Sequence, residues 1–548
     1  MAFKKLDPQL AGEADALIQE HGSAAAASRA TGIPVNTLKH RRDAARRDGK
    51  PVIGGRAGPP KRQEWKLPEK GQVARYIFTC AQNNTRLNRK VWQNLMALAN
   101  FYGARVCVST FTYDKASYGE RSVKRGRTAT SSERGKLWYA PEIEPHVLDE
   151  SVTVAPGLVW CGELNIIPTA ERPLSGFTSY TGRKSGIFPH VKFAMESVPS
   201  GKYEGTKINY TTGTVTQRNY IAKKAGQKAE FHHGYGGLLV EVDSDGNWFC
   251  RQLNADSTAT IYDLEVRARR GRVTRGHRVE AITWGDIHVG TIEPWMEQLC
   301  WGRDNAGPSM IDVLRPRYQF MHDVLDFRAR NPHDRGNPHR QFQRHVEGRS
   351  SVLAEVEEVG RFLAVISRRP WCRTVVVDSN HDNMLSRWLR EADYRSDPPN
   401  ALFFLEAQLQ VYRWIAAGQP YANSRLLRWA LGRISPALRG AGFRFLAEDE
   451  SYIICRKHGG GVECGLHAHN GPDGKRGQLS QFARMGRKSN TGHGHAAGIM
   501  DGAYRAGITG ALDQGYNAGP SSWTHSHIVT YPNGKRAIIT IWGKKWRA

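Results

Sequence analysis

The segment VEAITWGDIHVGTIEPW, residues 279–295, ends an apolar, strand-like run in Gly285-Asp286-Ile287-His288-Val289-Gly290. A carboxylate and an imidazole alternate just where the chain must turn, and side chains two apart on an extended segment face the same way. Four further stretches share this character. MHDVLDF carries Asp323 and Asp326, and VVVDSNHDN closes an apolar run with Asn380, His381 and Asp382. GLHAHNG offers His467 and His469, and NTGHGHAAG offers His493 and His495 among glycines. Each stretch lies at or just past the end of a strand-like or helical run, where open α/β sheets collect their ligands.

The surrounding pattern supports a layered α/β domain over residues 273–548. Strand-like VEAITWG and CRTVVVDS alternate with segments read as helices: PSMIDVLRPRYQFMHDVLDFRAR, SSVLAEVEEVGRFLAVISRR and ALFFLEAQLQVYRWIAAG. The chain then finishes in a hairpin turned at Asn533-Gly534. Residues 73–272 read as an α+β domain. ARYIFTC and ARVCVSTFTY are strands flanking an amphipathic helix, and GGLLVEVDSDGNWFCRQL is a hairpin turned at Asp245-Gly246. Its His232-His233 pair and DSDG acids read as a solvated pair and a turn rather than a metal site.

Residues 51–72 are rich in Lys, Arg, Pro and Gly and mark a linker. Residues 1–50 form a unit of their own. A helix over 8–20 is followed by an Ala-rich helix capped by Ser23 and stopped by Gly32, then by a basic helix after Pro34 capped by Asn36. That order matches a helix-turn-helix, which would place Asn36, Thr37, Lys39, His40, Arg41 and Arg42 at a DNA groove or its phosphates. A small helical bundle with a solvated basic face is the alternative.

Composition narrows the class. A net charge of +26 over 548 residues attracts polyanions, nucleic acid first among them. No apolar run of eighteen residues and no apolar leader core occur, so neither a bilayer span nor a secretory signal is expected. The eight cysteines are scattered without a CxxC pair, which suits reduced thiols in a cytoplasm. Cys455-x2-His458 with Cys464-x2-His467 has zinc-knuckle spacing, but its sequence reads as two strands joined by Gly459-Gly460-Gly461.

Imidazole, carboxylate and amide donors together suit manganese, iron or zinc, whereas calcium and magnesium favour oxygen alone. A single carboxylate can bridge two cations about 3.5–4 Å apart, the spacing used in two-metal phosphoryl chemistry. The order D-x-H, D-x-x-D, N-H-D, H, G-H-x-H resembles the calcineurin-like metallophosphoesterase superfamily over residues 273–548. The head and HNGPDGKRG make the chain similar to phage proteins of the T5 DNA-transfer type, linked to host-DNA degradation.

The resemblance implies a four-layer α/β sandwich and two divalent metal ions, manganese before iron or zinc. Asp286, His288 and His495 would hold one ion, Asn380, His467 and His493 the other, and Asp323 would bridge them. His381 would stand beside the phosphate as general acid or as a stabiliser of the leaving oxygen, with Asp382 matching the acid that often follows it. A hydroxide activated by both metals would attack phosphorus in line. The pattern departs from the family at His322 and Ser379, where glycines are usual. His469 rivals His467, and Asp326 rivals Asp323 or supports it. His525 and His527 also alternate on a strand but have no place in the pattern.

These readings converge on a metal-dependent DNase whose partner is DNA, with no membrane partner, working in the host cytoplasm if phage-encoded. Homo-oligomerisation stays open. Two other functions fit parts of the sequence: a DNA-binding takeover protein with a non-catalytic scaffold, and a phosphatase of proteins or small phosphoesters. The basic stretch FRARNPHDRGNPHRQFQRHVEGR is either a solvated loop or a track for a nucleic-acid backbone.

Overall fold

The computed structural model describes residues 13–38 except 15, 19 and 22, together with 62–113, 138–202, 204–302, 308–334 and 336–548. The chain divides into two compact units, Met1–Lys61 and Arg62–Ala548.

In the first unit, helix Ala24–Thr31 is capped by Ser23, whose hydroxyl accepts from the Ala26 amide, and it stops at Gly32 in the left-handed region. Ala14, Ile18, Ala24, Ala27 and Leu38 bury together as its core. Helical backbone resumes at Val35, where the Pro34 carbonyl accepts from Thr37 and Leu38 at 2.9 and 3.1 Å. Asn36 therefore lies inside this turn and is not its cap, because Pro34 starts the helix earlier than the polar residue suggests. Asn36 is exposed and Thr37 half-buried. Lys39, His40, Arg41 and Arg42 lie outside the described residues.

The second unit is mixed α/β with several sheets. Strand Val73–Gln82 pairs in parallel with Arg105–Phe111 through helix Arg89–Tyr102, which Asn88 caps. On its other side it runs antiparallel to Gly236–Asp243, which pairs with Trp248–Asn254. An ion triad is sealed behind this hairpin. Arg251 Nη1 meets Glu241 Oε2 at 2.6 Å, and Arg251 Nε meets Asp263 Oδ1 at 2.7 Å.

A six-stranded sheet carries the candidate site. Its order is Phe443–Phe445, Arg373–Val376, Tyr318–Met321, Ala281–Thr283, Ser526–Thr530, Arg536–Thr540. The first four strands are parallel, Ser526–Thr530 is antiparallel to them, and Arg536–Thr540 pairs antiparallel with Ser526–Thr530 to close the hairpin. One face packs on helices that include Val352–Ile366, Pro398–Ala416 and Asn423–Ile434, through Ile282, Met321, Val376, Leu363 and Leu431. The other face, through Ala281, Phe320 and Val375, packs on Ile454, Val462 and Cys464 of an eleven-stranded sheet.

One expectation needs correction. The long helix expected across residues 308–330 is a five-residue helix, Met310–Leu314, followed by strand Tyr318–Met321. Arg315 adopts φ 45° and Pro316 supplies no amide donor, so the helix ends there. Asp323 thus follows a strand and not a helix. Met195–Val198 pairs with Gly498–Met500, so middle-region and C-terminal strands share the eleven-stranded sheet. Among the described residues no helix is long and apolar enough to cross a membrane.

Candidate metal centre

Backbone pairing that continues past the strand ends assembles the site. Beyond the parallel pair Ala281–Thr283 and Tyr318–Met321, the Ile287 amide donates to the His322 carbonyl at 2.9 Å and the His288 amide to the Asp323 carbonyl at 2.8 Å. The two ligand-bearing loops therefore run side by side, with Asp286 and His288 against Asp323. The third loop is tied in by side chains. Ser379 Oγ accepts from the Asp323 amide and donates to Asp382 Oδ2, and Asp382 Oδ1 accepts from the Leu325 amide. Asp382 is thus a clamp on the Asp323 loop, and Ser379 serves the same clamp where a glycine could not. The fourth and fifth loops meet where the Gly492 amide donates to the His467 carbonyl.

These loops bring all seven expected ligands together in two sets. Asp286, His288, Asp323 and His495 are buried, with potential ligand atoms all within 4.8 Å of one another, and could hold a metal ion. Asn380 Oδ1 lies 2.9 Å from His467 Nε2 and 3.1 Å from His493 Nδ1. Asp323 Oδ2 lies between the sets, 3.2 Å from His467 Nε2 and 3.9 Å from His288 Nε2.

Several features fit a cation better than a self-satisfied polar core. Neither oxygen of Asp286, a residue with no exposure, has a hydrogen bond, although His495 Nε2 stands 3.0 Å from Oδ2. His288 Nε2 and His495 Nε2 face each other at 3.3 Å. Two imidazole lone pairs do not attract, so this pair needs a proton or a cation beside it. His288, Asp323, His493 and His495 all have positive φ, between 46° and 67°, a concentration of strain typical of functional sites. At Gly492 a Cβ would fall 2.2 Å from Asp286 Oδ1, so only glycine lets the fifth loop lie on the carboxylate.

Burial and neighbouring charge set the electrostatics of the cluster. Burial, reinforced by Asp323, pushes the Asp286 carboxyl well above its usual value. Burial also lowers His493 and His495 to about 4, which leaves neutral imidazoles competent to ligate. At His381 burial opposes protonation, but Asp323 and then Asp326 outweigh it and raise the ring to about 10.

Asp326 lies against His288 and His381, and the three form a second group that could hold a metal ion. Asp326 Oδ1 is 2.9 Å from His288 Nδ1 and 3.3 Å from His381 Nδ1, and Arg328 pairs with Oδ2. The carboxylate fixes His288 with Nε2 turned inward, as carboxylates behind metal-ligating histidines do. His469 rests beside His467 and His493, its buried Nδ1 unpartnered, but His467 is the ring that reaches Asp323 and Asn380. His322 stacks on His467 and meets it Nδ1 to Nδ1 at 3.3 Å. His527 Nδ1 accepts from the Gly285 amide and His525 Nδ1 faces the Ile508 carbonyl, so both brace the fold. Among the described residues, neither the Asp286, His288, Asp323 and His495 group nor the His288, Asp326 and His381 group includes a cysteine, and Cys455 donates instead to the Tyr531 carbonyl. His233 is likewise engaged, by Tyr220 and the Thr216 carbonyl.

Three nearby residues carry no motif that would have singled them out. Arg505 lies under Gly494, where a Cβ would fall 2.6 Å from its Nη1. Trp523 lies edge-on to His495 with ring centres 4.2 Å apart, and Tyr516 lies 5.9 Å beyond Trp523.

The chain is 38% identical over 498 residues to Protein A1 of Escherichia phage T5, an alignment covering 89% of this chain and 84% of that protein. No family model matches the chain, and no solved structure matches it.

Proposed function

The chain belongs to the same family as Protein A1 of Escherichia phage T5, and from that premise we propose that it is a metal-dependent phosphodiesterase that hydrolyses DNA. The observation that carries this reading is the placement of Asp323 Oδ2 between two sets of nitrogen and oxygen donors. Asp286, His288 and His495 would hold one divalent cation, Asn380, His467 and His493 a second, and Asp323 both, with manganese suiting this donor mix. Bound there, the cations would supply charge neutralisation on the phosphate and a lowered pKa for the attacking water.

The chain's own residues do the rest. Asp326 holds His288 in register and takes up the Nδ1 of His381. That leaves Nε2 of His381 as the atom that gives a proton to the departing oxygen, the role of a general acid. The Asp382–Ser379 clamp keeps the Asp323 loop from drifting as charge develops. The net charge of +26 and the helical head fit a polyanionic substrate. DNA transfer or host-DNA degradation, in the host cytoplasm, is the setting that the resemblance to T5-type phage proteins implies.

Purified full chain, manganese and supercoiled plasmid test the proposal. Nicking by the wild type that disappears in Asp323→Ala and falls steeply in His381→Ala supports it. A DNA mobility shift without cleavage would replace it with a DNA-binding role. Turnover of phosphomonoesters with DNA left intact would replace it with a phosphatase.

A further inference from the structure

The aromatic pair beside the centre has no part in holding cations. Tyr516 is a large ring left 57% exposed, one ring removed from the candidate ligand His495. Trp523 stands between them at 81° to His495 and 68° to Tyr516. The pair is held in place by the scaffold. The Trp523 carbonyl accepts from Thr206 Oγ1 at 2.5 Å, and its amide donates to Ser521 Oγ at 3.2 Å. The Tyr516 loop is closed by Asn517, which accepts from the Gln514 amide and donates to the Leu512 carbonyl. Gln514 Nε2 also donates to Thr291 Oγ1 at 3.0 Å, three residues past His288, so the loop is anchored to the centre. On the loop's outer side Arg340 Nη2 donates to the Gly515 carbonyl at 3.3 Å, which places a guanidinium beside Tyr516.

We propose that Tyr516, backed by Trp523, stacks an unpaired base of the strand whose phosphate occupies the centre, with Arg340 beside it for the backbone. The substrate class is then single-stranded or frayed nucleic acid. This inference rests on the phosphodiesterase reading. An exposed aromatic face with a cation alongside is how strands are gripped without regard to sequence, since every base has a π-face. Bases inside a duplex are stacked on one another and present only edges, so an intact duplex cannot use the platform.

The test is binding by the full chain, with calcium in place of manganese so that the strand survives. The probes are a fluorescein-labelled 12-nucleotide single strand and an abasic strand of equal length and charge, read by anisotropy. Wild type should favour the base-bearing strand. Tyr516→Ala should weaken that strand by about 5- to 150-fold, the range equivalent to about 1–3 kcal/mol for one stacked base. It should leave the abasic strand unchanged, which also shows that the variant is folded. Tyr516→Phe should bind both strands as wild type does. Equal loss on the two strands, or no loss on either, overturns the stacking platform and leaves the phosphodiesterase reading standing. Failure of the wild type to bind either strand overturns both.

Discussion

Replacing Asp286 by asparagine should have opposite effects on the metal-free and metal-loaded protein. Asp286 has no exposure, its oxygens lack hydrogen bonds, and Asp323 beside it raises the cost of its charge. An uncompensated buried charge costs several kcal/mol unless the group takes up a proton. Asparagine has the same shape without the charge, and an amide nitrogen in place of Oδ2 can donate to His495 Nε2, 3.0 Å away. The metal-free variant should therefore gain on the order of 1–2 kcal/mol. Domains of 150–250 residues shift by about 2–4 °C per kcal/mol, and a larger unit shifts less, so the midpoint should rise by about 1–3 °C. In the wild type, manganese at a hundred times its dissociation constant should add about 2.7 kcal/mol, or roughly 3–5 °C. In Asp286→Asn that manganese shift should fall below about 1 °C. Thermal melts in chelator and in manganese, read by near-ultraviolet circular dichroism, measure both effects. A variant that melts lower than wild type in chelator, or that keeps the whole manganese shift, refutes the reasoning.

Other substitutions separate the parts. Asp326→Ala should free the His288 ring and lower manganese affinity by about 10- to 100-fold in calorimetric titration. Gly492→Ala should fold but lose stoichiometric manganese in elemental analysis, since its Cβ would fall 2.2 Å from Asp286 Oδ1. Arg251→Met should strip the counter-charge from buried Glu241 and Asp263 and cost about 3–5 kcal/mol in denaturant unfolding, with metal content unchanged in the folded fraction. Deleting residues 1–50 should weaken duplex binding and flatten its salt dependence while hydrolysis of a small diester continues; unchanged duplex affinity would remove the head from DNA binding.

The ligand types and their order were legible because each sits beside an apolar run that ends abruptly. Their geometry was less so. Strand alternation suggests that Asp286 and His288 face the same way, yet His288 is left-handed at φ 46°. The two meet because the loop curls along the Asp323 loop, a tertiary pairing that local pattern does not encode. Asp326 was visible as a carboxylate, but its place behind His288 depends on which side of the imidazole the chain passes. The strand at 318–321 was hidden because QFMHDVLDF continues a helix-like apolar period beyond Pro316. The pairing of Met195–Val198 with Gly498–Met500 spans some three hundred residues and left no local trace. Tyr516 and Trp523 belong to no repeating pattern, and only their distance from His495 marks them.

Anomalous diffraction at the manganese edge, from crystals grown with that ion, addresses the central claim without relying on activity. Two peaks per chain are expected on either side of Asp323 Oδ2, one among Asp286, His288 and His495, the other among Asn380, His467 and His493. Absence of both peaks, or ions bound elsewhere with these side chains hydrogen-bonded only to one another, would contradict it.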